Sequence, residues 1–262
     1  VTSVQTTAGA TLAYADVGSG PPVLALHGAY SAHQEIRGFL DPVLAHCRRV
    51  YPDLPGMGSS TATGIESATA ALDALDELVT AVLGDEPFTL VGHSFGAHLA
   101  RGLAARRPVQ VRGLALLCPM VSTDHHMEPA VVVADDGSAT SLPPELAEAY
   151  TGYFVVQTAA TLARFHEAVA PVLGHWDEQA VERLMTDDTL DLAAEYTNPV
   201  LVMTARQDAW VGYRQHTGLL AAYPHATSVV VADAGHALPH ERPEAVGAAL
   251  RLWHATATRP AA

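Results

Sequence analysis

Gly92-His93-Ser94-Phe95-Gly96 is a G-x-S-x-G pentapeptide lying directly behind the apolar run Phe88-Thr89-Leu90-Val91. Behind it comes Ala97-His98-Leu99-Ala100-Arg101-Gly102-Leu103-Ala104-Ala105, which has helical character. A strand that turns sharply into a helix leaves the central serine exposed on a tight, strained elbow. Glycines flank the serine because bulkier residues at 92 or 96 would collide with neighbouring backbone. The helix that follows aims its N-terminal N–H groups and positive dipole end at any negative charge developing there. The pentapeptide alone is a weak signal; the strand before it and the helix after it make it specific.

A serine hydroxyl needs a base, and the base needs an acid to orient it. Pro199-Val200-Leu201-Val202-Met203-Thr204 has the pattern of a buried strand and runs into Ala205-Arg206-Gln207-Asp208. Ser228-Val229-Val230-Val231 repeats that pattern and runs into Asp233-Ala234-Gly235-His236. Both Asp208 and His236 fall just past the C-terminal end of a strand, where open parallel sheets place their sites. For Asp208 to be a mere turn cap and His236 a surface-loop histidine, three unrelated coincidences would have to fall in the order Ser94, Asp208, His236. The candidate triad is therefore Ser94, Asp208 and His236. A third apolar strand, Pro22 to Leu26, ends in His27-Gly28-Ala29. The backbone N–H groups of Ala29 and Phe95 are the expected oxyanion donors, with His27 as a brace for the loop.

These segments resemble the α/β-hydrolase superfamily over nearly the whole chain. The resemblance rests on Leu26-His27-Gly28, Asp53-Leu54-Pro55-Gly56-Met57-Gly58-Ser59, Val91 to Ala97, Ala205 to Asp208 and Ala234-Gly235-His236, followed by Glu241-Arg242-Pro243-Glu244. It implies an α/β fold: a mostly parallel sheet of about eight strands flanked by helices. A helical cap is expected after the sixth strand, at residues 120–196, with 1–119 and 197–262 forming the core. Serine at the elbow implies esterase-type chemistry rather than that of the relatives that carry aspartate there. The expected activity is hydrolysis of a small, largely apolar carboxylic ester, lactone or thioester through an acyl-enzyme. The alternatives are carbon–carbon hydrolysis of a diketone-like compound, a non-hydrolytic acyltransferase or cyclase, and a slow-turnover small-molecule receptor. One scaffold runs many reactions, so the motifs leave these open.

Composition narrows the field. The formal net charge is −14, and all fourteen basic residues are arginine. Without lysine there is neither a P-loop lysine nor a Schiff-base lysine, and no cofactor is expected. The acidic balance argues against nucleic acid and other polyanions as partners. His125-His126 is the one tight histidine pair, and no H-E-x-x-H or C-x-x-C spacing occurs, so no catalytic metal is expected. Cys47 and Cys118 have the settings of buried free thiols, which suits a cytoplasmic protein. No apolar run approaches the ~18 residues of a membrane span. Val1 to Gln5 lacks the basic and apolar regions of a signal peptide. The expected partner is a small-molecule substrate, the expected assembly a monomer or homodimer.

Helical spacing of Leu72, Leu75, Leu78, Val79 and Val82 predicts a helix over 65–83, and further helices are expected near 34–47, 144–157, 159–169, 177–186 and 243–254. Tyr150, Tyr153, Phe154, Phe165 and Trp176 fall in the expected cap, where aromatics at helical spacing are more often core than pocket. Tyr30 and His33, just behind the oxyanion loop, are the expected substrate-pocket residues. Asp53 is expected to tie its turn rather than take part in chemistry.

Overall fold

The computed structural model describes residues 2–121, 129–187, 190, 192 and 196–259. Eight strands form the main sheet: β1 (Thr2–Gln5), β2 (Thr11–Val17), β3 (Pro22–Leu26), β4 (Arg48–Pro52), β5 (Phe88–His93), β6 (Val111–Leu117), β9 (Val200–Ala205) and β10 (Ala226–Val231). A separate parallel pair is made by β7 (Ala134–Asp135) and β8 (Val156–Gln157). The main sheet runs β1-β2-β4-β3-β5-β6-β9-β10. It is antiparallel from β1 through β2 to β4 and parallel from β4 to β10. Strands β3, β5 and β9 are buried at every position. That is why they appear as unbroken apolar runs: helices cover both faces of a parallel sheet.

The chain leaves β3 outward to β4 and returns on the other side as β5, so the strand order reverses between β3 and β5. A crevice opens at such a reversal, beyond the carboxyl ends of the strands. Helices α1 (His33–Leu40), α2 (Ala68–Leu83) and α3 (Phe95–Arg106) make the connections around it. Helix α2 starts three residues later than its apolar spacing suggests, because the Ser67 side chain caps it by accepting from Ala70 N. Helix α1 is shorter than expected: Pro42 has no N–H to continue it, and residues 41–47 run on as turns.

Between β6 and β9 the chain inserts β7, α4 (Pro144–Tyr153), β8, α5 (Ala159–Arg164) and α6 (Glu178–Met185). Helix α4 ends at Tyr153, and the stretch expected to prolong it turns extended and pairs as β8 with β7. The insertion has its own small core of Tyr150, Phe154, Phe165 and Val169, closed by Ala237 from the main body. After β9 come α7 (His216–Ala222), α8 (Leu238–Glu241) and α9 (Pro243–Ala257). No helix among the described residues is long and apolar enough to cross a membrane.

Candidate active site

Ser94 sits between β5 and α3 with φ 54° and ψ −120°, a conformation an L-residue holds only when its surroundings impose it. The close packing that imposes it is measurable. A Cβ on Gly92 would lie 2.6 Å from Ala97 Cα, and one on Gly96 would lie 2.2 Å from the His27 carbonyl oxygen. Ser94 N donates to Leu117 O (3.0 Å) and Ser94 O accepts from Met120 N (3.2 Å), fixing the elbow to the end of β6. Tyr30 (φ 53°) and Cys118 (φ 42°) are the other described non-glycine residues at positive φ. They follow β3 and β6, so all three strained residues stand at the same end of adjacent strands.

Asp208 and His236 meet Ser94 there. Asp208 Oδ1 accepts from the amides of Trp210 (2.9 Å) and Val211 (3.1 Å). Its Oδ2 lies 2.8 Å from His236 Nδ1. A carboxylate only accepts, so Nδ1 carries the proton and Nε2 is left as the acceptor. That Nε2 is 2.9 Å from Ser94 Oγ, within reach of the hydroxyl proton. Burial alone would raise the Asp208 pKa, but His236 and the two amides hold it below the usual carboxylate value. Trp210 stacks on the His236 ring at 6.0 Å between centroids, and 49% of its surface remains exposed.

Two buried residues steady the loop that carries His236. His93 Nε2–H donates to His236 O (3.1 Å), and burial with the neighbouring His236 pushes the His93 pKa down to about 4. Glu241 is also buried, and its carboxylate accepts from Val155 N (2.6 Å), Val156 N (3.0 Å) and Gly235 N (2.5 Å). One side chain thus joins the insertion to the loop that carries His236.

A cavity of about 450 Å³ opens over Ser94 and His236, within the range typical of small-molecule sites. Ala149, Val169, Leu173, Met185 and Val211 give it apolar walls, and Tyr30, Trp176 and Trp210 add aromatic surface. Its polar lining includes Glu35, which accepts from Ser31 Oγ and from Tyr153 Oη (2.6 Å) and lies 3.8 Å from His240 Nε2. Burial alone would raise the Glu35 pKa, but His240, His93 and Ser31 together hold it well below the usual carboxylate range. A second hollow of about 590 Å³, between Gly56–Thr63 and His175–Asp177, contains no triad residue.

A family profile described as "Alpha/beta hydrolase family" matches residues 23–249, which include Ser94, Asp208 and His236. The chain belongs to the alpha/beta hydrolase family. It is 29% identical over 228 residues to the biotin biosynthesis bifunctional protein BioHC of Cellvibrio japonicus, covering 82% of this chain and 44% of that protein. It is 39% identical over 132 residues to the lipase LipV of Mycobacterium tuberculosis, covering half of each. The chain therefore spans about half the length, or less, of these two relatives. The solved structure of an alpha/beta superfamily hydrolase from Oenococcus oeni PSU-1 superposes with a TM-score of 0.90 over 99% of this chain and 100% of that one, at 24% identity.

Within this alpha/beta hydrolase, the residues singled out from sequence divide into three groups. Ser94, Asp208 and His236 come together as one hydrogen-bonded chain. Ala29 lines the cavity and Phe95 opens α3; neither amide has a protein partner among the described residues. Tyr30 lines the cavity, but the expectation that His33 does so is corrected by the structure. Both the backbone N–H and Nδ1 of His33 lie 2.8 Å from Asp53 Oδ1, which turns the ring away from the cavity. Asp53 also accepts from Ser59 N (2.9 Å), as a turn-tying residue should. His27 donates from Nδ1 to Gly28 O (2.7 Å) and accepts from Leu54 N (2.9 Å), bracing two loops.

Sequence reasoning did not single out Glu35, His93, Trp210 or Glu241. Trp210 had a weak signal, since it lies two residues past the acid. The insertion aromatics separate: Tyr150, Phe154 and Phe165 are core, whereas Tyr153 and Trp176 line the cavity. His125 and His126 lie outside the described residues. His93, Cys118 and His236 bring ligand atoms within 4.8 Å of one another. They are nevertheless occupied with the His236 carbonyl, the Gly235 carbonyl and the triad.

Proposed function

We propose that the protein is a serine hydrolase of small, largely apolar carboxylic esters, with lactones and thioesters open to the same chemistry. Ser94 Oγ attacks the carbonyl carbon while His236 Nε2 takes its proton. The same nitrogen then returns the proton to the leaving group. Asp208 holds the tautomer and stabilises the imidazolium. The Ala29 and Phe95 amides, without a protein partner among the described residues, receive the oxyanion; one such donor is worth about 3–4 kcal/mol in the transition state. Water, activated by His236, releases the acyl group. Residues 120–196 act as a cap that closes the cavity and selects the substrate.

The observation that carries this reading is the unbroken Ser94–His236–Asp208 chain at the wall of an apolar cavity. The naming of one relative as a lipase supports it. Turnover of p-nitrophenyl butyrate is the test. Ser94→Ala should lower it at least ~10³-fold with circular dichroism unchanged, and a fluorophosphonate should label the parent at Ser94. Labelling that survives the substitution overturns the assignment.

A further inference from the structure

His46, Cys47 and His254 form a cluster at the other end of the sheet from the triad. Cys47 directly precedes β4, which runs parallel to β3 and, through it, to β5. It therefore stands at the end where those strands begin, whereas Ser94, Asp208 and His236 stand where strands finish. His254 comes from the last turn of α9. One ligand atom from each of the three residues lies within 4.8 Å of the others. Cys47 Sγ is 3.6 Å from His254 Nε2, and the two imidazole centroids are 5.5 Å apart.

That sulfur–nitrogen spacing fits a metal. With Zn–S of ~2.3 Å and Zn–N of ~2.0–2.1 Å, a tetrahedral angle sets sulfur and nitrogen ~3.6 Å apart. One ion fits between these two atoms as they stand. A thiol–imidazole hydrogen bond would explain Cys47 and His254 but gives no role to His46, the third group. Because His46 is exposed while Cys47 and His254 are buried, an ion from solvent can reach the cluster from the His46 side.

The backbone bearing two of the ligands is held in place. Arg49 Nη1 donates to Cys47 O (2.6 Å) and Leu44 O (2.9 Å). The turn before β3 presses on the same segment. A Cβ on Gly18 would lie 2.6 Å from Cys47 O, and one on Gly20 would lie 2.4 Å from His46 O. Metal affinity depends on such prior positioning of the ligands.

We propose that His46, Cys47 and His254 bind one divalent late first-row cation of the zinc type, with water in the fourth position. One thiolate and two imidazoles favour such ions over magnesium or calcium. On binding, the Cys47 thiol releases its proton to solvent, and sulfur and two neutral ring nitrogens each donate a lone pair; no electron is transferred. The ion staples the segment before β4 to the closing helix and takes no part in the chemistry at Ser94.

The test uses the whole chain, stripped with a chelator, freed of it, and titrated with cobalt(II) chloride and then zinc chloride. One cobalt per chain should bind and produce thiolate-to-cobalt absorption in the near ultraviolet, which zinc abolishes. Zinc should also raise the Tm, while p-nitrophenyl butyrate turnover stays the same with and without it. Cys47→Ser should remove the absorption. His46→Ala changes only an exposed side chain and should weaken cobalt binding at least ~10-fold; it decides the matter if the serine variant does not fold. The proposal is overturned by no absorption at several-fold excess cobalt, or by absorption that persists in Cys47→Ser. It is equally overturned if binding is unaffected by His46→Ala or extinguishes turnover, which would put the ion at His93 and His236.

Discussion

His93 should make this protein sensitive to mild acid. Its imidazole is buried against His236, and its pKa is pushed from 6.5 to about 4 by burial first and by His236 second. The unfolded chain therefore takes up a proton in a range where the folded one resists it. Stability from this group is complete above pH 6.5 and drains away as pH falls toward 4. Integrating a single site between pH 7.5 and pH 4.5 gives a loss of about 2–3 kcal/mol, most of what the full shift is worth. The assay is urea unfolding of the parent and of His93→Gln at half-unit steps across that range. Glutamine retains a donor for the His236 carbonyl and does not titrate, so the difference between the curves isolates His93. The parent should lose about 2–3 kcal/mol more than the variant, mostly between pH 6 and pH 4.5. Parallel curves, agreeing within ~0.5 kcal/mol at every pH, would refute the reasoning.

Three further outcomes follow from the site. Asp208→Asn keeps an acceptor for the Trp210 and Val211 amides but turns a donor toward His236, so kcat should fall ~10²–10⁴-fold with little change in Tm. Of the two neighbouring histidines, His236→Ala should abolish ester turnover whereas His240→Ala, which faces Glu35 and Phe39, should retain most of it; steady-state rates on both decide, and the opposite ranking refutes the triad. Glu241→Ala strands three buried amides, each costing about 1–3 kcal/mol, and should lower both the urea midpoint and kcat; an unchanged midpoint refutes its anchoring role.

The sheet and the meeting of Ser94, Asp208 and His236 were legible because each depends on local pattern. Strands β3, β5 and β9 are buried on both faces, so their apolar runs needed no tertiary knowledge, and each is followed by a short polar punctuation that marks its end. Beyond Tyr30 and the residues at Ser94 and His236, the cavity lining was not legible. Glu35 and Tyr153 stand 118 positions apart and meet only because the insertion folds back over α1. His33 stands two positions from Glu35, yet its ring follows Asp53, a contact set by the register of β4 rather than by anything near 33. Helix ends were misplaced where a single side chain decided them, as Ser67 does for α2. Glu241 looked like the entry to a helix; its carboxylate found partners at 155, 156 and 235 that no spacing along the chain brings together.

Tyr30, Ser94 and Cys118 all hold left-handed backbone that glycine would hold at no steric cost, and such residues typically carry on the order of 1–3 kcal/mol each. Anyone selecting this protein for heat resistance will meet that gradient first. Glycine at 30 or 118 relaxes the main chain, but it also removes the ring that borders the cavity or the thiol packed beside Asp208. A library scored by melting temperature alone will drift toward those replacements and erode the surroundings of Ser94. Screening on retained turnover, or barring the three positions from the library, keeps the search where added robustness does not come out of the crevice around Ser94.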